Sequence, residues 1–322
     1  MIAVFLLDFG GPKTLEDVQP FLKNLFSDRS IFPFPFGQEI FANVVSKLRA
    51  PKVAKGYAKI GGGSPAPAQT FELVEELNNA FSQANLHLKV FVGMRYLDPF
   101  IDETLRIIVK QNPKGILVIP MFPQYSTATT LSVFQEFQRA YDAMKTSIPY
   151  QWIEWWYDQP AFVTGWCYVL QKALAKFDES IRATVPVLFS AHGLPLSFVT
   201  ERKDPYPKQI KESCSQIMTY LGTENPAYIS YQSRVGPMEW LKPATIEFVE
   251  ELGKKNVKNL VIAPISFLTD HIETLFEIDH EIIPHAKKHG IEKIVRSEAL
   301  CHTPYLKKTL EELILKRLPT LL

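Results

Sequence analysis

Four short runs of apolar residues, each ending at a proline or a polar residue, most constrain the fold of this chain. They lie at residues 2–7, 116–119, 187–189 and 260–263. Apolar and polar side chains do not alternate within them, so each run is predicted to form a buried strand. Buried strands of this kind belong to parallel sheets that helices cover, which predicts an α/β protein.

The second half of the chain repeats the plan of the first half. Residues 187–195 match residues 4–12, and residues 260–264 match residues 116–120. With helices predicted between the strands, each half has β-α-β order and short connections, which is typical of a doubly wound parallel sheet. We therefore expect two similar Rossmann-like domains, each a parallel sheet flanked by helices.

The repeat places two ionisable residues just beyond strand ends. His192 follows one buried run and corresponds to Phe9 in the first half, and Glu273 follows another run and corresponds to Thr129. In open α/β sheets, ligands bind outside the carboxyl ends of the strands. If the two strands are neighbours, His192 and Glu273 face one crevice.

A row of carboxylates begins at Glu273. Glu273, Glu277 and Glu281 recur every four residues, so a helix places all three on one face. A solvated face of an amphipathic helix would show the same spacing, but no Lys or Arg follows at the positions that would form ion pairs. Next to His192, the row favours a site for proton transfer or for capture of a metal.

Several other classes of protein are not supported. A net charge of +1, without a run of basic residues, argues against a protein that binds nucleic acid. There is no HExxH motif, and the histidines have no consistent ligand spacing, which argues against a zinc hydrolase. The sequence also lacks a GxSxG elbow, a GxGxxG loop and a second Glu-x-x-His pair. The remaining possibility is a cleft with one histidine, several carboxylates and aromatic surface, which suits a large flat apolar ligand meeting a divalent cation.

Two loops and the cysteines give further expectations. Residues 31–36 alternate proline with phenylalanine, which predicts an apolar loop that either contacts a ligand, partner or membrane or folds back into the core. The glycines at 61–63 predict a tight turn where the backbone approaches something closely.

Cys167, Cys214 and Cys301 lie far apart, as expected for reduced thiols in a cytoplasmic protein. No apolar run is long enough for a membrane span, and the N-terminal run is too short for a signal peptide.

A series of short motifs then identifies a family. In order along the chain they are GGP at 10–12, IGGGSP at 60–65, RY at 95–96, PQYS at 123–126, SAHGLP at 190–195, DPYP at 204–207, YQSRVGP at 231–237, WL at 240–241 and DHIETL at 270–275. With these motifs, the chain resembles ferrochelatase, the class II chelatase that inserts ferrous iron into a porphyrin. The resemblance extends over nearly the whole length.

The resemblance implies both a domain plan and a reaction. The chelatase-type fold implies one domain at 1–150, joined by a C-terminal helix at 305–322, and a second domain at 151–304, with the active-site cleft between them. The implied reaction inserts Fe²⁺ into protoporphyrin IX, gives protohaem and releases two protons, as the terminal step of haem biosynthesis. Protoporphyrin IX and ferrous iron are then the two binding partners.

The resemblance also implies roles for particular residues. His192 and Glu273 are the pair at the metal, one of them accepting the pyrrole protons, and Asp270 orients His192 or its neighbours. Glu277 and Glu281 extend from Glu273 as a path for the metal, in a stretch where the family commonly has a π-helical turn. The residues implied for the porphyrin side are Phe9, Arg49, Tyr57, Ser64, Arg95, Tyr96, Tyr125 and Trp240. The 31–36 loop is the family's lip, which often touches a membrane, so peripheral membrane contact is expected.

Departures from the family pattern leave alternatives open. Asp8 and Phe9 stand where the family often has Asn followed by an aliphatic residue. The cysteines do not match those of the members that carry an iron–sulfur cluster, so no cluster and no other prosthetic group is predicted. Coproporphyrin could replace protoporphyrin, and cobalt or nickel chelatases share the fold. A haem- or metal-binding module without catalysis is the alternative from another class.

Overall fold

The apolar runs form the centres of two parallel sheets in the computed structural model, which describes residues 1–33 and 36–320. Within those residues the strands are β1 (Ile2–Asp8), β2 (Leu88–Met94), β3 (Ile116–Pro120), β4 (Tyr150–Trp152), β5 (Val187–His192), β6 (Ala227–Gln232), β7 (Asn259–Ala263) and β8 (Lys293–Arg296). The first sheet has the order β2-β1-β3-β4 and the second has the order β6-β5-β7-β8, with parallel pairing throughout. The second sheet repeats the first, so the predicted fold class is confirmed.

Helices connect consecutive strands and flank both sheets. They are α1 (Val18–Ser27), α2 (Gln38–Lys59), α3 (Ala66–Gln83), α4 (Ile101–Lys110), α5 (Thr130–Met144), α6 (Pro160–Leu174), α7 (Glu179–Arg182), α8 (Leu196–Thr200), α9 (Tyr206–Leu221), α10 (Thr245–Lys254), a π-helix (Ile272–Ile282), α11 (Ile283–Lys288) and α12 (Pro304–Arg317). The π-helix runs directly into α11, so residues 272–288 form one continuous helical segment.

The chain divides into two compact units. Unit 1 comprises Met1–Trp156 and Leu310–Leu322, and unit 2 comprises Tyr157–Thr309. In unit 2, Leu188 and Ile262 of the central strands pack against Ile278 and Ile282 of the π-helix in a fully buried core. Apolar burial therefore fixes the π-helix on the sheet, and its polar residues are positioned by that packing.

Two helix boundaries differ from those that the sequence suggests. Proline is disfavoured inside a helix, yet α2 continues through Pro51 to Lys59. Proline removes only one backbone donor, and packing of α2 on α1 outweighs that loss. Thr14 is a residue type that often caps a helix, but α1 begins only at Val18. The carboxylate of Asp17 instead accepts hydrogen bonds from the backbone N–H groups of Lys13 and Thr14 in a preceding turn.

The apolar loop at 31–36 lies partly outside the described residues, which leave out Phe34 and Pro35. Phe36 is 89% exposed, whereas the ring of Phe32 packs 5.0 Å from that of Phe26. Across residues 1–33 and 36–320, we find no helix that combines the length and the apolar character needed to cross a bilayer.

Candidate active site

His192 and Glu273 come together at the carboxyl ends of two neighbouring strands of unit 2. His192 is the last residue of β5, and Glu273 lies in the first turn of the π-helix that follows β7. β5 pairs directly with β7. Nδ1 of His192 lies 2.9 Å from Oε2 of Glu273, within hydrogen-bond distance. The fold thus joins the two residues that the sequence repeat places at strand ends.

The backbone around His192 is held from two sides. The N–H of His192 donates a hydrogen bond to Oγ of Ser266 at 2.9 Å, and the N–H of Gly193 donates to the carbonyl of Gln232 at 2.8 Å. A Cβ atom on Gly193 would lie 2.7 Å from that carbonyl and 3.4 Å from the ring of Trp240. Glycine is therefore required for the strand end to approach so closely, and Trp240 packs against the turn that carries His192.

The first turn of the π-helix fixes the position of Glu273. His271 is the N-cap, and its Nδ1 accepts a hydrogen bond from the N–H of Glu273 at 3.1 Å. In return, Oγ1 of Thr274 accepts from the N–H of His271 at 3.0 Å. Burial lowers the pKa of His271, which keeps the imidazole neutral and its Nδ1 able to accept. The arrangement is a capping box in which histidine takes the place of the usual Ser or Thr.

The electrostatics of the His192–Glu273 pair strengthen His192 as a base and keep Glu273 ionised. Burial alone would lower the pKa of His192, but the charge and hydrogen bond of Glu273 outweigh it and raise that pKa. Burial likewise opposes ionisation of Glu273, but the charge and hydrogen bond of His192 bring its pKa down to about 2. Glu273 is therefore a carboxylate at neutral pH, and His192 is a stronger base than free imidazole.

Glu277 lies beside the pair and is held by the end of β6. Its Oε1 accepts from the N–H of Ser233 at 2.7 Å, and its Oε2 accepts from Nε2 of Gln232 at 3.1 Å. Gln232 Nε2 also donates to the backbone carbonyl of Glu273 at 2.9 Å. Burial, followed by the charge of Glu273, raises the pKa of Glu277. Glu281, the third member of the row, is exposed.

Asp270 anchors the turn before the π-helix. Its Oδ1 accepts from Oγ1 of Thr274 at 2.9 Å and from Nη1 of Arg296 at 3.1 Å, and its Oδ2 lies 2.8 Å from Nε2 of His302. Arg296 also forms a two-bond pair with Asp279 in the π-helix, at 2.9 and 3.1 Å. Although burial opposes ionisation, Arg296 and His302 lower the pKa of Asp270. The contacts described for Asp270 thus support the helix that carries Glu273.

In unit 1, Arg95 and Tyr96 belong to a buried polar network. The hydroxyl of Tyr96 donates to Asp28 at 2.8 Å, and Ser132 also donates to Asp28. Arg95 lies 3.6 Å from Asp28 and 3.4 Å from Glu136, beside a cavity of about 280 Å³. The side chain of Tyr96 is fully buried, so it supports Arg95 rather than presenting its own face to a ligand.

The other residues predicted for the porphyrin side also lie in unit 1, apart from Trp240. Phe9 packs against Tyr96 and Phe122, with ring centroids 4.9 and 4.7 Å apart. Arg49 is half-buried over the ring of Phe26. The remaining three are Tyr57, which is buried in α2, and Ser64 and Tyr125, which are half-buried in loops.

The predicted close approach at the triple glycine is confirmed. A Cβ atom on Gly63 would lie 2.1 Å from the carbonyl oxygen of Lys13, and the N–H of Ser64 donates to the carbonyl of Pro12 at 2.6 Å. The loop at 60–65 therefore packs directly on the loop that follows β1, backbone against backbone.

Sequence reasoning assigned no role to several residues that shape this site. Gln232 and Ser233 lie in the YQSRVGP motif, whose position after a predicted strand was the available signal. Ser266 and Arg296 had no such signal, because one is a loop serine and the other ends a short, half-exposed strand. Their roles depend on long-range contacts that only the folded chain shows.

Comparison with known proteins decides the family. A model of the ferrochelatase family matches residues 1–318. The chain belongs to the ferrochelatase family. Among its relatives, Ferrochelatase-1, chloroplastic/mitochondrial, of Arabidopsis thaliana is 41% identical over 328 residues, which cover 99% of this chain and 70% of the relative. The ferrochelatase of Rippkaea orientalis is 40% identical over 321 residues, which cover 98% of this chain and 82% of the relative.

A solved structure of much lower sequence identity shares the fold of this member of the ferrochelatase family. SirB from Bacillus subtilis, solved with Fe³⁺, superposes with a TM-score of 0.57 at 12% identity, over 98% of this chain and 94% of SirB. At that identity the likeness establishes the chelatase fold alone.

Proposed function

We propose that the chain is a ferrochelatase that inserts Fe²⁺ into protoporphyrin IX, gives protohaem and releases two protons. Membership of the ferrochelatase family, with a match that extends over nearly the whole chain, supports this activity. The observation that carries the chemistry is the His192–Glu273 pair at strand ends, with its 2.9 Å contact and with Glu277 beside it. The carboxylates suit a divalent cation, and the base suits a porphyrin ring that must lose protons.

His192 is the proposed acceptor of the pyrrole protons. Glu273 is anionic, so it accepts the Nδ1–H of neutral His192 and leaves Nε2 with a free lone pair. A pyrrole N–H gives its proton to that lone pair, and the imidazolium that forms is stabilised by the adjacent carboxylate. The raised pKa of His192 reflects this same stabilisation. His192 must release the first proton to solvent before it takes the second.

Glu273 and Glu277 are the proposed partners of the incoming iron. Oxygen ligands and imidazole both suit Fe²⁺, and two neighbouring carboxylates lower the cost of removing its water. Burial and then the charge of Glu273 raise the pKa of Glu277, and a cation that binds both carboxylates relieves the repulsion between them. Glu281, which is exposed, is proposed as the outer end of the path.

The porphyrin-binding roles of Phe9, Arg49, Tyr57, Ser64, Arg95, Tyr125 and Trp240 remain proposals. Phe9 offers an aromatic face that Tyr96 and Phe122 hold in place. Two carboxylates already lie near Arg95, so Arg49 is the better candidate for a propionate group. Tyr96 acts in this scheme by holding Asp28 next to Arg95.

We also propose peripheral contact between unit 1 and a membrane. Next to the loop at 31–36, α2 carries a stripe of exposed apolar side chains at helical spacing: Ile40, Val44 and Leu48 are 72%, 50% and 75% exposed. Exposed lysines follow at 47, 52 and 55. Exposed apolar side chains with nearby basic residues suit the interface of an anionic bilayer.

The absence of an iron–sulfur cluster and the cytoplasmic location remain predictions. Burial raises the pKa of Cys167 to about 11 and also raises that of Cys214, whereas a cluster needs thiolates. Two of the three thiols are thus poorly suited to bind iron. Measurement of iron and sulfide in the purified protein tests the first prediction. The second needs localisation in cells, since the Arabidopsis relative is named as chloroplastic/mitochondrial.

One anaerobic assay tests the proposed function. The chain is incubated with protoporphyrin IX and Fe²⁺ while the absorption spectrum is followed, and we expect the haem spectrum to appear with turnover. Parallel reactions contain coproporphyrin III in place of protoporphyrin, or Co²⁺ or Ni²⁺ in place of Fe²⁺. Faster turnover in either parallel reaction would assign that substrate instead, and porphyrin binding without turnover would indicate a binding module.

A further inference from the structure

A second cluster of potential metal ligands lies in unit 2, at the far end of the helical segment that begins beside Glu273. Within residues 1–33 and 36–320, Glu250, His285 and His289 are the one group of three such residues whose ligand atoms all lie within 4.8 Å of one another. Glu250 is in α10, His285 is in α11, and His289 is the C-cap residue directly after α11. Helical rise places His285 on the order of 15 Å from Glu273 along the segment.

The distances in the cluster match those of a metal site. Oε2 of Glu250 lies 3.3 Å from Nε2 of His285 and 3.7 Å from Nε2 of His289. With bonds of roughly 2.0–2.1 Å, the ligands of a tetrahedral ion lie roughly 3.3–3.4 Å apart. Both distances from Glu250 lie near that spacing, and all three ligand atoms lie within 4.8 Å of one another, so a cation can sit between them once the imidazoles close around it.

Hydrogen bonds orient the ligands. Nδ1 of His289 lies 2.9 Å from the carbonyl oxygen of His285, which can only accept, so Nδ1 carries the proton. In the neutral ring the lone pair of Nε2 then points toward Glu250, and two acceptors face each other without a proton between them. Ligating histidines in proteins commonly donate their other N–H to a carbonyl in this way. Oε2 of Glu250 is within hydrogen-bond distance of Nε2 of His285 at 3.3 Å, and a cation would bind this oxygen together with both Nε2 atoms.

The scaffold around the cluster is close-packed. A Cβ atom on Gly253 of α10 would lie 2.2 Å from the carbonyl oxygen of His289, so glycine allows the two backbones to meet there. Nζ of Lys254 holds the other oxygen of Glu250 at 2.6 Å, which leaves Oε2 as a single ligand atom. All three side chains of the cluster are about 30% exposed, so ions can reach them from solvent.

We propose that Glu250, His285 and His289 bind a divalent transition-metal cation at a site separate from the His192–Glu273 pair. Two imidazoles and one carboxylate favour Zn²⁺, Fe²⁺, Co²⁺ or Ni²⁺ over Mg²⁺ and Ca²⁺, and a water completes the tetrahedron. The bound ion joins α10 to the end of the segment that carries Glu273. It therefore stabilises the folded chain against unfolding.

Zn²⁺ titration of the full chain tests this site. The protein is treated with chelator, and calorimetry measures the equivalents of Zn²⁺ bound. We expect the double variant His285→Ala/His289→Ala to bind one equivalent fewer than the wild type. His192→Ala retains the equivalent at the new site, and so does the control His280→Ala, which removes an exposed histidine of the same segment.

Two outcomes overturn the proposal. One is a double variant that binds as many equivalents as the wild type, and the other is a wild type whose single ion is lost in His192→Ala. If the double variant fails to fold, Glu250→Gln keeps both histidines and the helix. We expect it to weaken Zn²⁺ binding by at least the roughly 10–100-fold that loss of an outer-shell partner costs. Unchanged affinity in Glu250→Gln would also contradict the site.

Discussion

Nη1 of Arg296 lies 3.1 Å from Oδ1 of Asp270, and this contact connects the end of β8 to the turn before the π-helix. The same guanidinium forms two hydrogen bonds with Asp279, inside the π-helix. One side chain therefore holds the helix that carries Glu273 at two points. The π-helical geometry of an 11-residue stretch thus has identifiable support besides its apolar packing.

Replacement of Arg296 should therefore destabilise unit 2. We expect Arg296→Ala to lower the free energy of unfolding by about 2–3 kcal/mol, because largely buried Asp270 loses its guanidinium partner and keeps only His302 as an ion-pair partner among the contacts described for it. Urea denaturation measures the change. Arg106→Ala is the control, since it removes an exposed ion pair with Asp102 and should change stability by less than about 0.5 kcal/mol. Equal effects of the two variants would contradict the anchoring role.

Replacement of His192 should separate catalysis from binding. We expect His192→Ala to lower iron insertion by at least about 100-fold, because the proposed acceptor of the pyrrole protons is lost. Binding of protoporphyrin, followed by fluorescence quenching, should stay close to wild type. The control His280→Ala removes an exposed imidazole and should retain activity. Substantial turnover by His192→Ala would assign the proton transfer to another group.

The pH dependence of iron insertion should report the raised pKa of His192. Activity requires the neutral imidazole, so kcat/KM should rise with pH through a pKa above the ordinary 6.5. Glu277→Gln removes a negative charge that raises this pKa, so the acid limb should move to lower pH. Glu281→Gln alters an exposed carboxylate and serves as the control. A limb that does not move in Glu277→Gln would exclude His192 as the group that titrates.

The close approach at Gly193 predicts a coupled loss of stability and activity. A methyl group there meets the carbonyl oxygen of Gln232, so Gly193→Ala should cost about 1–3 kcal/mol and displace His192. Iron insertion by the folded variant should fall by up to roughly 100-fold. Gly165→Ala in α6 creates a comparable clash with the side chain of Tyr305 in α12, away from the site. Gly165→Ala should therefore lower the melting temperature, but iron insertion measured below that temperature should stay close to that of the wild type.

The apolar stripe on α2 predicts binding to anionic vesicles. We expect the wild-type chain to co-sediment with phosphatidylglycerol vesicles, and replacement of Ile40, Val44 and Leu48 by serine to reduce the bound fraction. Stability should change little, because the three side chains are at least half exposed. Ile107→Ser alters an exposed isoleucine of α4 and is the control. Equal vesicle binding by the wild type, the triple serine variant and Ile107→Ser would exclude α2 as the surface that contacts the membrane.

The sequence by itself determined the sheet architecture and the two central residues of the site. Apolar runs without alternation are typical of strands buried within parallel sheets, and their repetition predicts two similar sheets, as the structure has them. His192 and Glu273 were predictable because strand ends are positions that local pattern defines. The motifs shared with ferrochelatases added the ligand, which spacing alone could not name.

Only the tertiary structure decided how those residues are held. The bonds of Gln232 and Ser233 to Glu277, and of Arg296 to Asp270, join residues far apart in sequence, and no local pattern encodes such contacts. The histidines showed no consistent ligand spacing in the sequence, yet folding brings His285 and His289, one helical turn apart, to Glu250 on another helix. Local propensity selects strands and helices, whereas packing between elements decides which polar atoms meet.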